Sequence, residues 1–320
     1  ALNIFQGSTL KTPETVTGVT ASGEVCIDVV EGNLNINEDV TAGTAVALQT
    51  QDNDGSGDGD IIIGNDNAAV GAAADQVTAQ NGVVSVVSAN DITDNNGTGN
   101  AALTASTNVV MTADNNIAGN TDALEINAVG LAANAGGNIT VDDLSGDLQI
   151  VEDSTLKTVT ALDGVVGGGE VCIDATAGNL DVANRIVSDD AVALNALNNV
   201  SITGSDNITV NDGGRETVSI EAGQQILSPG NGVVDANNVV LKAGTGIGNN
   251  ETIEIDATNV AATATAGSVN ITDLDTNGND GLNVAELQTL KGGETITGVT
   301  AGADVCLDVV NGNLNINEDV

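Results

Sequence analysis

Histidine, tryptophan and tyrosine are absent from these 320 residues, and Phe5 is the one aromatic side chain. Without histidine nothing of the usual kind activates a thiolate, so nucleophilic catalysis is not expected. Without aromatics the chain has no platforms for sugar rings, and its basic residues are scattered, so the groove of a polysaccharide lyase or hydrolase is not expected either. A core must also do without its largest side chains. Three cysteines are too few for a disulfide-dense scaffold, and their spacing fits no zinc pattern. Only six residues are basic (Lys11, Lys157, Arg185, Arg215, Lys242 and Lys291) against 45 acidic ones, leaving a formal charge of −39. Such a field repels nucleic acid and anionic membranes, so neither is an expected partner. No apolar run approaches the ~18 residues that suggest a membrane-spanning helix. No signal peptide is recognisable, which in a window of a longer chain says nothing about secretion.

What remains is rich in Gly, Asn, Asp, Thr, Ala and Val, with 41% hydrophobic residues. Short segments alternate apolar and polar positions, the period of a half-buried strand. Examples are VCIDV at 25–29, NLNIN at 33–37, AVALQ at 45–49, DIIIG at 60–64, NVVMTA at 108–113, NITVDD at 138–143 and TIEIDA at 252–257. NG, DG, GG and GN pairs punctuate them as turns. AAVGAAADQVTAQ at 68–80 is the nearest approach to a helix, and an alanine-rich loop explains it as well.

The chain also repeats itself. Residues 10–40 and 290–320 match at about 23 of 31 positions without a gap, and a looser copy occupies 154–194. The spacing of TLK at 9–11, 155–157 and 289–291 gives a period of about 280 residues that is itself doubled. The divisions expected are 1–154, 155–288 and 289–320, all in one continuous solenoid, read as a window of a longer periodic polymer. Aligning NGVV at 81–84 with NGVV at 231–234 leaves about 20 extra residues between 84 and 107 of the first half, which one additional coil would explain.

A narrow core of Val, Ile, Leu and Ala, tiled layer upon layer, is the cross-section of a β-solenoid. The expected fold is therefore all-β, a right-handed parallel β-solenoid (β-helix) with coils of about 20 residues. The alternative is a pair of tandem antiparallel β-sandwiches joined near residue 150. The runs at 114–141 and 244–271 share an I-G-like turn, an L-x-I-x-A strand, a short L/V-A-A segment and G-x-I/V-x-I/V. In this they resemble filamentous-haemagglutinin-type repeats of giant bacterial surface proteins. That resemblance implies a right-handed parallel β-helix and a secreted, cell-surface setting, and says little about function.

Two acidic stretches suggest hard-cation chemistry. In QDNDGSGDGDIIIGNDN at 51–67, Asp52, Asp54, Asp58 and Asp60 stand beside glycines, as in a calcium β-roll, although the motif occurs once and slips in spacing. DTNGNDGLNVAE at 275–286 has the length of an EF-hand loop, with Asp275, Asn277, Asn279 and Glu286 at liganding positions, but Asp280 replaces its glycine. Calcium is the one cofactor considered. Strand parity in VCIDV places Val25, Ile27 and Val29 on one face and Cys26 and Asp28 on the other. Cys172 and Cys306 stand in the same frame. Separations of 146 and 134 residues keep the three from pairing with one another in a straight rod, so contact with neighbouring chains is expected of them.

The expected role is structural: an extracellular or cell-surface fibre whose partners are copies of itself, as a homopolymer or lateral bundle. The alternative is the stalk of a large secreted adhesin, with cell-surface or matrix ligands bound elsewhere. No enzymatic activity is expected.

Overall fold

The computed structural model describes residues 2–4, 7–8, 15–16, 18–64, 74–118, 123–204, 208–210, 217–249, 251–276 and 281–320. Phe5, Lys11, Arg215, Asn277 and Asn279 lie outside them, as do residues 68–73 of the alanine-rich stretch. Residues 77–79 of that stretch are a strand. The segments that alternate in sequence are strands, and one explanation serves for all of them. In Val25–Val29 every second side chain points inward, and the strand one coil later, Val46–Thr50, repeats the alternation in parallel register: Val25 under Val46, Ile27 under Leu48. Like residues therefore stack on like along the core. Leu34, Ile61, Ile92, Ile117 and Ile139 form one such stack, each with no exposed surface. Layers repeat at ~4.8 Å, a spacing that branched aliphatics tile closely, which accounts for a core without aromatic rings.

The chain divides into two units, Ala1–Ser145 with Glu152–Asp163, and Gly146–Val151 with Gly164–Val320. In the first, three strand columns surround the core. One runs through Val19–Ala21, Val40–Ala42, Val77–Ala79 and Leu103–Ala105. The second runs through Val25–Val29, Val46–Thr50, Val84–Ser88, Asn108–Ala113 and Gly130–Ala135. The third holds the isoleucine stack. The second unit repeats the middle column as Val171–Ala175, Ala191–Ala196, Thr217–Ala222 and the latter parts of Val233–Ala243 and Ile253–Ala264. Each unit is thus a parallel β-solenoid without a helix among its described residues. Antiparallel pairing is confined there to three hairpins and the bridge between Glu31 and Asp52. Sandwiches built of sequential hairpins are excluded.

Two details differ from the sequence reading. Coil length is not fixed near 20: partners are 21 residues apart from Val25 to Val46 but 38 apart from Val46 to Val84. Nor does the first half contain an additional coil. Both units have five strands in the middle column, and Val84 corresponds to Val218 rather than to Val234. Part of the surplus is the loop between Thr50 and Ile61, because a loop can lengthen outward while the stacked strands keep their places.

Polar ladders run from coil to coil, beside the strands in the first unit and within them in the second. Asn33 donates to Asp60 at 2.9 Å, and Asn116 donates from its side chain to Asp91 at 3.0 Å. In the second unit Asn259 donates to Asn238, Asn283 to Asn259 and Asn315 to Asn283, at 2.9–3.2 Å. Corners also demand glycine where one coil lies on the next: a Cβ on Gly223 would sit 1.9 Å from the Leu197 carbonyl oxygen, and one on Gly244 would sit 2.1 Å from that of Gly223.

Candidate functional site

The longest loop in the first unit whose course is described carries the acidic cluster. Its Asp-Asn-Asp-Gly-Ser-Gly sequence turns on itself because Asp52 gathers backbone amides. Asp52 Oδ1 accepts from Gly55 N at 2.8 Å and Ser56 N at 3.2 Å, and Oδ2 accepts from Gly57 N at 2.9 Å. The Gly57 amide foremost, with Ser56 and Gly55, holds the Asp52 carboxyl below its usual range. Gly59 closes the loop, its carbonyl accepting from Ser88 Oγ at 2.8 Å and from Thr50 Oγ1.

Three carboxylates converge here, and one of them was not anticipated. Glu31, Asp52 and Asp58 bring one oxygen each within 4.8 Å of one another. Partial desolvation and the charges of Asp54, Asp58 and Asp52 push the Glu31 carboxyl up. Asp58 Oδ1 is shielded from solvent and meets no hydrogen-bond donor. Of the four expected ligands, then, Asp52 and Asp58 face one another. Asp54 is exposed beside them and accepts from Ser56 N at 2.9 Å. Asp60 is spent on the ladder: it accepts from Asn33 at 2.9 Å, Asn90 at 2.7 Å and the Asp91 amide at 3.2 Å. Parity separates it, since Asp60 directly precedes the strand Ile61–Ile63 and turns with the corner. Glu31 comes from the coil beneath, through its bridge to Asp52, and sequence spacing holds no signal for it.

The EF-hand reading is not sustained. Gly281–Val284, inside the twelve residues, is a ladder strand paired with Ile253–Ala264, and Glu286 opens a hairpin where it accepts from Thr297 Oγ1 at 3.3 Å. An EF-hand also needs flanking helices.

The recurring TLK marks a second construction, a hairpin that straps the outside of each unit. The straps are Glu152–Asp163 and residues 286–297. Each lies on the middle column, where the outward positions are small: Cys26, Ala47, Ser85, Val110 and Ala132 in the first unit. The second unit repeats the series residue for residue, as Cys172, Ala193, Ser219, Val240 and Ala261. Ile296 of its strap packs on Val240 and Ala261, with Leu287 beside them.

Every letter of the motif has a task. Thr289 is buried and closes the hairpin, its amide donating to Glu294 O at 2.9 Å and its Oγ1 accepting from Glu294 N at 3.1 Å. Leu290 N donates to Ser219 Oγ at 3.3 Å, as Leu156 N does to Ser85 Oγ at 3.0 Å. The lysine reaches back to the start of the column: Lys157 Nζ stands 3.4 Å from Asp28 Oδ2, and Lys291 pairs with Asp174. Lys242 adds a second tie, to Glu294 at 2.5 Å and Glu221 at 3.2 Å.

The thiols point outward as parity requires. Cys26 and Cys306 are exposed, Cys172 is half-buried, and none forms a disulfide. Cys26 Sγ donates to Glu24 Oε1 at 2.9 Å, a bond that with slight burial raises its pKa; Cys172 Sγ donates to Glu170 at 3.3 Å. Cys306 stands over Asn270 and not over the small-residue column that begins at Cys172, so these two thiols face different sides of the second unit.

No family model matches the chain, and neither a curated protein nor a solved structure does.

Proposed function

We propose that this chain is a structural segment of an extracellular or cell-surface fibre, assembled with copies of itself and stiffened by a divalent cation such as calcium at Glu31, Asp52 and Asp58. One observation carries the reading. What the two half-periods keep, through many substitutions, is mechanical: the small-residue column, the strap upon it and the lysine–aspartate clasp. Repetition of a clamp serves tensile or bending strength, whereas repeated binding modules keep a repeated pocket. The surface setting agrees with the resemblance to filamentous-haemagglutinin-type repeats and with a charge of −39, which hard cations neutralise.

Electron microscopy and light scattering of the chain, with about 5 mM calcium (several-fold above the dissociation constants of extracellular-type sites) and with chelator, test the proposal. Filaments that lengthen with protein concentration, and shorten or melt earlier in chelator, are expected. Monodisperse particles at every concentration would remove the fibre. Equal melting with calcium and with chelator at matched ionic strength would remove the cation.

A further inference from the structure

One module occurs twice, and its two copies show its two sides. Residues 2–36 and 282–316 are built alike, strand for strand. Leu2 pairs with Leu34 and Ile4 with Ile36, as Leu282 pairs with Leu314 and Val284 with Ile316. Gly7 pairs with Val16 in one hairpin as Leu287 pairs with Ile296 in the other. Val19–Ala21 and Val25–Val29 recur as Val299–Ala301 and Val305–Val309. The corner that follows repeats as well: Val19 N donates to Asp39 O at 2.9 Å, and Val299 N to Asp319 O at 3.0 Å.

What the two copies touch differs. The later one is seated on the coil before it, Val299 beside Ala262 and Val305 beside Val269. The earlier one is covered by the coil after it, residues 40–63: Val40 lies beside Val19, Val46 beside Val25, Ile61 beside Leu34 and Ile63 beside Ile36. That cover decides the fate of the apolar side chains. Leu34 and Ile36 have no exposed surface, whereas Leu314 and Ile316 are 38% and 59% exposed. Nearly every side chain that meets residues 40–63 is shared. Val19, Ala21, Val25, Val29, Leu34 and Ile36 have identical counterparts, and Ile27 becomes Leu307, a volume-conserving exchange. The polar ties are kept too. Asn33, which donates to Asp60 at 2.9 Å and accepts from Gly59 N at 2.7 Å, recurs as Asn313. Val30, whose carbonyl accepts from Asn53 at 2.8 Å, recurs as Val310. Asn311 replaces Glu31, a change that would take one charge from beside Asp52 and Asp58 and leave an oxygen donor there.

We propose that the partner of the exposed coil at 299–316 is a second copy of this chain, which takes residues 282–316 against its residues 40–63 in place of its own residues 2–36. The joint rests on the reading that copies of the chain assemble with one another, and it names the surfaces through which they do so. Exchange of an equivalent element is a low-cost route to association, because each contact given up is remade with the other copy. Donor and acceptor surfaces belong to different parts of the sequence, so the contact is heterologous. It extends copy after copy into a filament unless the rotation closes a ring.

Disulfide trapping in the full chain tests the joint. Asn35 is the ladder partner of Ile62, so Asn315 of a donor copy would stand beside Ile62 of its acceptor, ~4.8 Å away and within disulfide reach. The background is Cys26→Ser, Cys172→Ser and Cys306→Ser. Chains carrying Ile62→Cys, mixed with chains carrying Asn315→Cys, should give a dimer bonded between positions 62 and 315 on mild oxidation, its yield rising with protein concentration. One chain carrying both Asn35→Cys and Ile62→Cys should close upon itself, which shows that these ladder positions can bond. Leu34→Ala in the Ile62→Cys chain loosens the resident module and should raise the yield, while Leu314→Ala in the Asn315→Cys chain loosens the incoming one and should lower it. Each shift should reach about tenfold, in line with the cost of truncating a buried leucine. Closure within the reference chain with no bond between 62 and 315 at any concentration would overturn the joint, as would Leu34→Ala and Leu314→Ala acting in the same direction. Filaments without that bond would leave the fibre standing and remove the joint; the bond in particles that never lengthen would do the reverse.

Discussion

A lysine that finds an aspartate over a hundred residues earlier in the chain is the smallest working part of this protein. Lys291 retains 47% of its side-chain exposure and Asp174 17%, so solvent screens the contact and its direct worth is modest. A double-mutant cycle of Lys291→Met and Asp174→Asn, read by chemical denaturation, should give a coupling of about 0.2–1 kcal/mol. A coupling indistinguishable from zero would make the clasp incidental. Asp273 predicts a pH dependence of the opposite sense to most carboxylates. Its folded value of about 6 lies above the ordinary 3.8 because burial and the Asp256 and Asp275 charges disfavour ionisation. The native state therefore holds the proton more tightly than the unfolded chain does. This contribution is complete below about pH 4 and is lost as pH rises through about 6, by at most about 3 kcal/mol. Denaturation in chelator between pH 4 and 7.5 should show that fall, and Asp256→Asn should reduce it. A rise over the same interval in the Asp256→Asn difference curve would contradict the assignment.

At the scale of the element, the strap matters more than its clasp. Ile296 is 5% exposed and is seated on Val240 and Ala261, so Ile296→Ala should cost about 2–4 kcal/mol through lost burial and the cavity left behind. Limited proteolysis within 286–297 should accelerate in the same variant, and a strap that stays protected would show that it is held by something else. Ladder strands were legible in the sequence because alternation sets them locally: Val25–Val29, Asn108–Ala113 and Ile139–Asp143 fall where apolar and polar residues alternate. The recurrence of VTA at 19–21, 40–42, 77–79 and 299–301 marks ladder strands too, although the same triplet at 159–161 falls in a strap. The straps were hidden for a physical reason. TLK announces a repeat, but only the register of the middle column places Ser85 and Ser219 under its leucine amides and Asp28 and Asp174 within reach of its lysines. Glu31 was hidden likewise, since its partners Asp52 and Asp58 belong to the next coil.

For the whole molecule, charge and thiol placement set how copies can meet. At −39, two chains repel over a Debye length, about 10 Å in 0.1 M salt, so lateral contact needs cations or a local compensating bond. The outward thiols could supply such a bond in an oxidising exterior. Equal spacing along one seam would let two chains join at every half-period, but the second unit does not offer one seam. Cys172 begins the column of Ala193, Ser219, Val240 and Ala261, while Cys306 is stacked on Asn270 in the strand Val269–Asp273, on a different side. Two thiols facing different ways recruit different neighbours. A chain retaining only Cys172 or only Cys306 should therefore give dimers at most on mild oxidation, and a chain retaining both should give a ladder of higher species, all collapsing on reduction. Cys26 should react more slowly than an unhindered thiol, because the bond to Glu24 favours its protonated form. Glu24→Gln should speed its alkylation at pH 8 by a few-fold, in proportion to the thiolate gained. Non-reducing gels of the single-thiol variants decide the geometry: if the chain with both Cys172 and Cys306 stops at dimers, the two thiols share one neighbour and the different-sides arrangement does not govern assembly.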